Sequence, residues 1–454
     1  MITRRVPFLL AALLTLVSCA SAPAQDATIR VATYNIKFLD TGINDTSSKD
    51  MRDRKDRLLA VIEALGADVI GLQEIDDAAA LDAVFPRSEW IQIIDDDSGD
   101  DQDVAMVVRK STLSVVDSTA DRIDADDMHF LFEDAPSEFF PNKRDVLAIE
   151  LMVNDTGETF TLMVVHTKAR HGGRKTTEPR RSGASVMLVQ RLESEFQDRQ
   201  VIVVGDFNDT PDDRSLNILE TGDPDAPASM ENEQGEFLVN LTETLLVDEH
   251  VSWGKKTNDI DRSTDRIDTT TPGSRAFNFE HRDSDDLNIW DALLDQILIS
   301  HNLLDNYHHG SVGVLDLGDA ARGNNKSRAS DHLPVYADFV FAAPGRVDTP
   351  ALTIHACLPD PQGEDGGNET VTLRNNSTAT IDLDGHTLTD RAGHVLALSG
   401  TIDAGATRVI AIPAGKLPLN NTGEDLALTD GSGVLLHEVS YTRARVSPGI
   451  EIAF

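Results

Sequence analysis

Cysteine is almost missing from this chain. Of 454 residues only Cys19 and Cys357 are cysteines. If Cys19 is lipidated or removed, a single thiol remains and no internal disulfide can form, so stability rests on packing. Basic charge is scarce as well: 40 Lys and Arg stand against 77 Asp and Glu, a formal net charge of −37. Such a surface favours solubility, often in salty surroundings, and opposes polyanions at long range unless cations screen it. Binding of any polyanion would therefore need a local basic patch. Beyond the first residues, no stretch is long and apolar enough to cross a membrane.

Residues 1–24 have the form of a targeting segment, with Arg4 and Arg5 ahead of the short apolar run Phe8 to Val17. Two cleavage readings stand. Leu16-Val-Ser-Cys19 resembles a bacterial lipobox, which would leave a lipidated Cys19. Ala22-Pro-Ala24 fits ordinary secretory cleavage before Gln25. Either reading expects an exported chain: an outer-membrane lipoprotein, or a periplasmic or extracellular protein. Membrane attachment would come only through Cys19.

The chain is organised around Val201-Ile-Val-Val-Gly-Asp-Phe-Asn-Asp209. Four apolar residues predict a buried strand that Gly205 ends. Asp206 and Asn208 follow, and on an extended backbone they project to one side. Strand patterns also cover Thr28–Ile36, Asp68–Leu72, Val104–Val108, a hairpin of Asp145–Val153 with Thr159–Val165, Gln296–Ser300 and Pro334–Phe341. Helical patterns cover Leu58–Leu65, capped by Ser47 or Ser48 and ended by Gly66, then Ser182–Phe196, and a short helix in Pro211–Leu219. Residues 221–290 read as loops carrying one or two strands. The acidic run Asp95–Asp103 lacks EF-hand spacing and reads as a solvated loop. After the linker Ala342–Pro350, short strands recur between Gly, Asn and Asp turns with no helix. The expected domains are 26–343, an α/β fold of two packed β-sheets flanked by helices (a four-layer α/β sandwich), and 350–454, an immunoglobulin-like all-β sandwich.

Polar residues recur at strand ends: Asn35, Glu74, His166, Asp206 with Asn208, Asp295, and Asp331 with His332. They sit in the words TYNIK, DVIGLQE, HTKAR, GDFND, LDQILIS and SDHLPV. Taken in this order, the words resemble the endonuclease/exonuclease/phosphatase superfamily, the fold of pancreatic-type deoxyribonucleases and bacterial secreted nucleases. The resemblance implies a metal-assisted phosphodiesterase. Glu74 would be the principal metal ligand, with Asn35 and Asp331 nearby, and oxygen ligands suit Mg²⁺, Mn²⁺ or Ca²⁺. His332 would act as general base with Asp295 orienting its ring. Asp206 and Asn208 would position the water and the phosphate. His166 would contact the scissile phosphate or protonate the leaving oxygen. An acidic residue from Asp101-Gln-Asp103 would support His166, and Arg144 would touch phosphate.

The basic patch is there. Lys168, Arg170, His171, Arg174, Lys175, Arg180 and Arg181 follow His166, with six Lys or Arg in fourteen positions. With Gly172 and Gly173 the segment reads as a flexible loop, and Lys168 and Arg170 are candidate phosphate contacts. No aromatic residue interleaves it, which argues against base stacking there. The tail words Glu369, Val371-Thr-Leu-Arg-Asn-Asn376 and Leu419-Asn-Asn-Thr-Gly-Glu-Asp425 resemble a lamin-tail domain, implying a binding or spacing role with an unknown partner. The expected activity is that of an exported, sequence-nonspecific nuclease acting on DNA and possibly RNA. The alternatives are a phosphodiesterase or phosphatase for phospholipid headgroups or small phosphoesters, and an inert surface binding protein.

Overall fold

The computed structural model describes residues 26–454 other than 95–101, 126–128, 133–135, 142–143, 198, 231–236, 254–274, 284–291, 319–324, 344–349, 363–366, 378 and 432. The targeting segment with Cys19, most of the Asp95–Asp103 run, and Asp101 lie outside the described residues.

In chain order the strands of the larger domain are β1 (Ala27–Leu39), β2 (Val69–Ile75), β3 (Trp90–Ile94), β4 (Asp103–Arg109), β5 (Leu113–Val115), β6 (Arg122–Asp124), β7 (Leu147–Val153), β8 (Thr159–His166), β9 (Val201–Asp206), β10 (Leu238–Asn240), β11 (Asp295–Ser300), β12 (Gly313–Val314) and β13 (Val335–Phe341). Among the described residues they form two sheets, ordered β12-β13-β1-β2-β4-β3-β6 and β10-β11-β9-β8-β7-β5. The helices are α1 (Lys49–Leu65), α2 (Ala78–Leu81), α3 (Arg174–Glu195), α4 (Arg214–Thr221), α5 (Glu243–Val247) and α6 (Arg275–Glu280).

The side-chain period of a strand explains the layering. Ile29, Val31, Val69 and Met106 of one sheet meet Leu162, Val164, Ile202 and Val204 of the other in a single buried core. The alternate residues point outward. Ala32, Tyr34, Ile70 and Leu72 pack on Leu58, Ile62 and Leu65 of α1. Met163, Val165, Val201 and Val203 pack on Leu188, Val189 and Leu192 of α3 and on Leu216 and Leu219 of α4. Val201-Ile-Val-Val204 is apolar throughout because both its faces are covered, and each such side chain contributes ~1.5–3 kcal/mol on burial. The sheets approach closely at Gly71, where a Cβ would stand 2.7 Å from Val204 Cγ2.

Local signals place the helices. Ser48 Oγ accepts from Met51 N at the start of α1, and Gly66 ends it at φ 58°. One expectation is corrected here. Helix α3 begins at Arg174, eight positions before Ser182, and carries Pro179 inside it. Pro179 removes a backbone donor and disguises the first two turns as loop. The basic stretch after Gly173 is therefore helix, not flexible loop. Short helices α5 and α6 likewise occupy part of the segment that reads as loop.

From Leu352 the chain builds a separate sandwich. One four-stranded antiparallel sheet runs in the order Thr407–Ala411, Thr370–Asn375, Leu352–Leu358, Ile452–Ala453, a second in the order Val395–Ala397, Thr387–Asp390, Gly423–Thr429, Leu435–Thr442, and Ile381–Asp382 pairs with Thr401–Ile402 in a two-stranded sheet. Its core of Cys357, Val371, Leu373, Leu388, Leu426, Leu428 and Tyr441 shares no residue with the larger domain. Cys357 is a buried free thiol.

Candidate active site

Strand register assembles the site. Strand β8 runs parallel to β9 with His166 beside Asp206, and β11 runs antiparallel to β9 with Asp295 beside Asp206. Three residues far apart in sequence thus stand abreast at the ends of three neighbouring strands, each about 4.8 Å from the next strand. On the facing sheet β1 pairs with β2, setting Asn35 beside Gln73 and so next to Glu74. The Ser330 hydroxyl donates to Asn35 O at 2.6 Å and accepts from His332 N at 3.1 Å, tying the Asp331-His332 turn to β1.

His332 Nδ1 lies 2.8 Å from Asp295 Oδ2, and its Nε2 lies 3.7 Å from Asp206 Oδ2. His166 Nε2 lies at 3.7 Å from that same Asp206 oxygen, on the other side. All four residues are buried. Ligand atoms of Asp206, Asp295 and His332 fall within 4.8 Å of one another. Asn35 Nδ2 donates to Glu74 Oε1 and to Asp206 Oδ2, both at 3.1 Å, while its Oδ1 accepts from Lys37 N at 2.9 Å. Asn35 thus turns its nitrogen, not its oxygen, toward the carboxylates. Asp331 Oδ2 meets Lys37 Nζ at 3.3 Å. Glu74 takes φ 61°, an uncommon backbone for a non-glycine residue, which aims its side chain across at Asn35.

The electrostatics separate the two histidines. Burial, then the Arg144 guanidinium and His332, hold His166 well below the ordinary imidazole value, so its ring is neutral. Burial would depress His332 too, but Asp295 and Asp206 outweigh it and push it up to about 10. Burial raises Asp206, with Asp295 and Glu74 adding to the rise and His332 opposing it. Burial likewise raises Glu74, against the pull of His332 and the Asn35 amide. Asp295 Oδ1 is buried with no hydrogen-bond partner.

Arg144 Nη1 lies 3.1 Å from His166 Nδ1 and 2.8 Å from Gln102 Oε1. Gln102 of the Asp101-Gln-Asp103 segment reaches Arg144 at the site, and Asp101 lies outside the described residues. Asn208 departs from the extended backbone the sequence suggests. It sits at φ 52°, its N–H donates to Asp206 Oδ1 at 2.8 Å, and its Nδ2 donates to Thr167 O at 3.3 Å. Asp206 and Asn208 are held together by a turn rather than by strand alternation.

The basic patch is largely reassigned. Arg170, Arg174 and Arg181 are buried. Arg170 donates to Asn208 O at 2.7 Å and to Asp213 Oδ2 at 3.2 Å, so its buried guanidinium is engaged by the turn and by Asp213. Arg174 donates to both Asp213 oxygens, and Arg181 Nε lies 2.7 Å from Asp209 Oδ2. Burial would raise Asp213, but Arg174 and Arg170 prevail and hold it well below the usual carboxylate range. This block braces the turn that carries Asp206 and Asn208. Removing one partner of a buried pair costs ~3–5 kcal/mol, so Arg181→Ala is expected to lose that much stability in urea unfolding. A loss below about 1 kcal/mol would show the pair behaves as a surface one.

Lys168 stays at the rim, with Nζ on Ala169 O at 3.0 Å and His171 O at 3.3 Å. Sequence reasoning missed Lys37, Ser330, Ser252 and Trp253. Ser252 Oγ accepts from Asp295 N at 3.0 Å, and Trp253 bridges backbone to both Ala292 and His332 with its ring 6.4 Å from the imidazole. A tryptophan in a polar segment was the only signal available for that pair.

No curated protein matches the chain. Solved structures similar to it include D. rerio TDP2 complexed with single-strand DNA product, at 17% identity over 69% of this chain and 99% of that one, with a TM-score of 0.45. The human Nocturnin catalytic domain with bound sulfate anion is similar at 19% identity over 71% and 100%, with a TM-score of 0.42. A mannosyl-6-phosphatase of Bacteroides thetaiotaomicron is similar at 15% identity over 69% and 100%, with a TM-score of 0.40. The Lamin Tail Domain profile matches residues 347–443. The Endonuclease/Exonuclease/phosphatase family profile matches residues 32–332, across every strand end just described, and the chain belongs to that family of hydrolases acting on phosphoester bonds.

Proposed function

We propose that this chain is an exported, divalent-metal-dependent phosphodiesterase whose substrate is nucleic acid, cut with little sequence preference. The observation that carries the reading is the convergence of His166, Asp206 and Asp295 from three adjacent strands with His332 and Glu74 from the facing sheet.

The residues fit a hard cation. Glu74 and Asp331 offer carboxylate oxygens, burial raises Glu74 and Asp206 with neighbouring carboxylates adding to the rise, and Asp295 Oδ1 is an orphan acceptor. Glu74 and Asp331 would hold the ion, with Asp206 beside it. Asn35, its oxygen engaged by Lys37 N, steers Glu74 and Asp206. A bound Mg²⁺, Mn²⁺ or Ca²⁺ would neutralise charge on the non-bridging phosphate oxygens and on the leaving oxygen.

The chain's own residues do the rest. Asp295 fixes the His332 tautomer and leaves Nε2 facing the reaction space. In its neutral form His332 can take a proton from water at Nε2. Asp206 and Asn208 position that water and the phosphate. Neutral His166, with Arg144 against it, donates a hydrogen bond to the phosphate rather than a proton to the leaving group.

The burial of Arg170, Arg174 and Arg181 favours a second reading, a hydrolase of phospholipid headgroups or small phosphoesters, because less cationic surface is left for a polymer. A panel of circular and linear DNA, RNA, sphingomyelin and bis(p-nitrophenyl) phosphate, each with Mg²⁺, Mn²⁺, Ca²⁺ or EDTA, separates them. Cleavage of DNA that EDTA abolishes is expected. Cleavage of sphingomyelin or the nitrophenyl ester alone would favour the second reading, and hydrolysis of nothing in the panel would sink both.

A further inference from the structure

Backbone strain in this chain gathers at the active site. Among the described residues, six other than glycine take a left-handed backbone: Lys37, Phe38, Glu74, Asp117, Asn208 and Glu249. Such residues are uncommon and collect where a side chain must be aimed. Glu74 meets Asn35, Asn208 holds Asp206, and Lys37 meets both Asn35 and Asp331. Phe38 is the fourth at the site, at φ 45°, and the reaction steps leave it unused.

The register of β1 and β2 shows how Phe38 is pushed out. Asn35 pairs with Gln73 and Leu39 with Ile75, so Ile36, Lys37 and Phe38 stand against Glu74 alone. Bulges of this kind re-aim side chains beside active sites. Ile36 and Leu39 are fully buried, while Phe38 is 43% exposed. The bulge is also clamped. Buried Arg54 of α1 donates from Nη2 to Ile36 O at 2.8 Å and to Lys37 O, and from Nη1 to Phe38 O at 3.3 Å. One guanidinium thus fixes the carbonyls of the whole bulge. A bulky apolar side chain is held in water, on a strained backbone, across from the residue that would hold the ion.

We infer that Phe38 is a stacking platform for a base next to the phosphate being cut. The inference rests on the nucleic-acid reading and deepens it. Every base has an aromatic face, so stacking grips a strand without reading its sequence. It needs a base whose face is free, so the enzyme favours unpaired strands over duplex. The ring also supplies a hold on the strand that the buried Arg170, Arg174 and Arg181 do not. A lone ring suits a base better than a bilayer. Its exposed neighbours in the chain, Thr41, Asn44 and Asp45, are polar, and membrane binding scales with the apolar area buried.

The test uses the full chain in Mg²⁺ with two single strands of equal length, an oligothymidylate and a strand of abasic tetrahydrofuran residues. The quantity read is the ratio of their kcat/KM values. Wild type is expected to favour the strand with bases at least about tenfold. Phe38→Ala and Phe38→Leu are each expected to bring that ratio below about threefold, and Phe38→Trp to keep it. Leucine retains apolar bulk without a planar face, so it separates stacking from packing. A merely structural role for the ring would slow both strands alike and leave the ratio as it was. A ratio near one in wild type, or a wild-type ratio that survives Phe38→Ala, would overturn the platform alone. Wild type that cuts neither strand would overturn the nucleic-acid reading, and the platform with it. A second readout needs no turnover. In a His332→Ala background with Mg²⁺, 2-aminopurine within a strand is expected to be quenched on binding, and Phe38→Ala to remove at least about half of that quench. Equal quenching with and without the ring rejects the platform. So does a Phe38→Ala variant that loses hydrolysis of sphingomyelin vesicles while its strand ratio stays that of wild type, which would assign the ring to a lipid surface.

Discussion

His332→Ala is expected to lower kcat about a thousandfold, with KM little changed, because a positioned general base supplies roughly two to four orders of magnitude. The case rests on geometry. His332 is fixed at Nδ1 by a buried carboxylate 2.8 Å away, and its Nε2 faces Asp206 across 3.7 Å. Asp295→Asn is the companion variant. It keeps the shape but removes the charge that orients the ring, and a loss of about a hundredfold is expected. Deleting the imidazole also leaves Asp206 and Asp295 without their nearest cation, so both variants are compared at equal folded fraction by circular dichroism. Hydrolysis within threefold of wild type in both would remove His332 from the chemistry.

Gly205→Ala is expected to abolish the fold of the active site, and with it soluble expression. A Cβ at Gly205 would lie 1.9 Å from the backbone oxygen of Val165 and 2.9 Å from its nitrogen. Those atoms are main chain one pair from the end of the β8–β9 pairing, so no side-chain rotation relieves the clash. Separating the strands there would break the register that sets His166 beside Asp206. A destabilisation beyond ~4 kcal/mol belongs to this short class of backbone conflicts. Thermal unfolding of purified protein checks it, and a melting temperature within a few degrees of wild type would show that the strands slide apart cheaply.

The sequence carried most of the fold and the outline of the site for a physical reason. Buried strands announce themselves by apolar runs, and a polar residue just past such a run stands at a sheet edge. Hence Glu74, His166, Asp206, Asp295 and His332 were legible, and the structure brings them together. What could not be read was pairing. Arg170, Arg174 and Arg181 look like a surface patch until Asp209 and Asp213, some thirty to forty residues on, prove to be their counterions. The direction of the Asn35 amide depends on a neighbouring N–H, that of Lys37, and so on a backbone twist no pattern reveals. Ser252 and Trp253 reach the site from a segment with no period at all.

The arginine block behind Asp206 has an effect on how the molecule meets its medium. Charges that cancel in the interior are out of reach of mobile ions, whose screening acts on exposed groups. Brine would therefore leave the brace under the Asp206–Asn208 turn intact while it softens the anionic halo that keeps phosphate-rich molecules at a distance. The same chain can stay rigid at its working end and become more approachable as the water around it grows saltier.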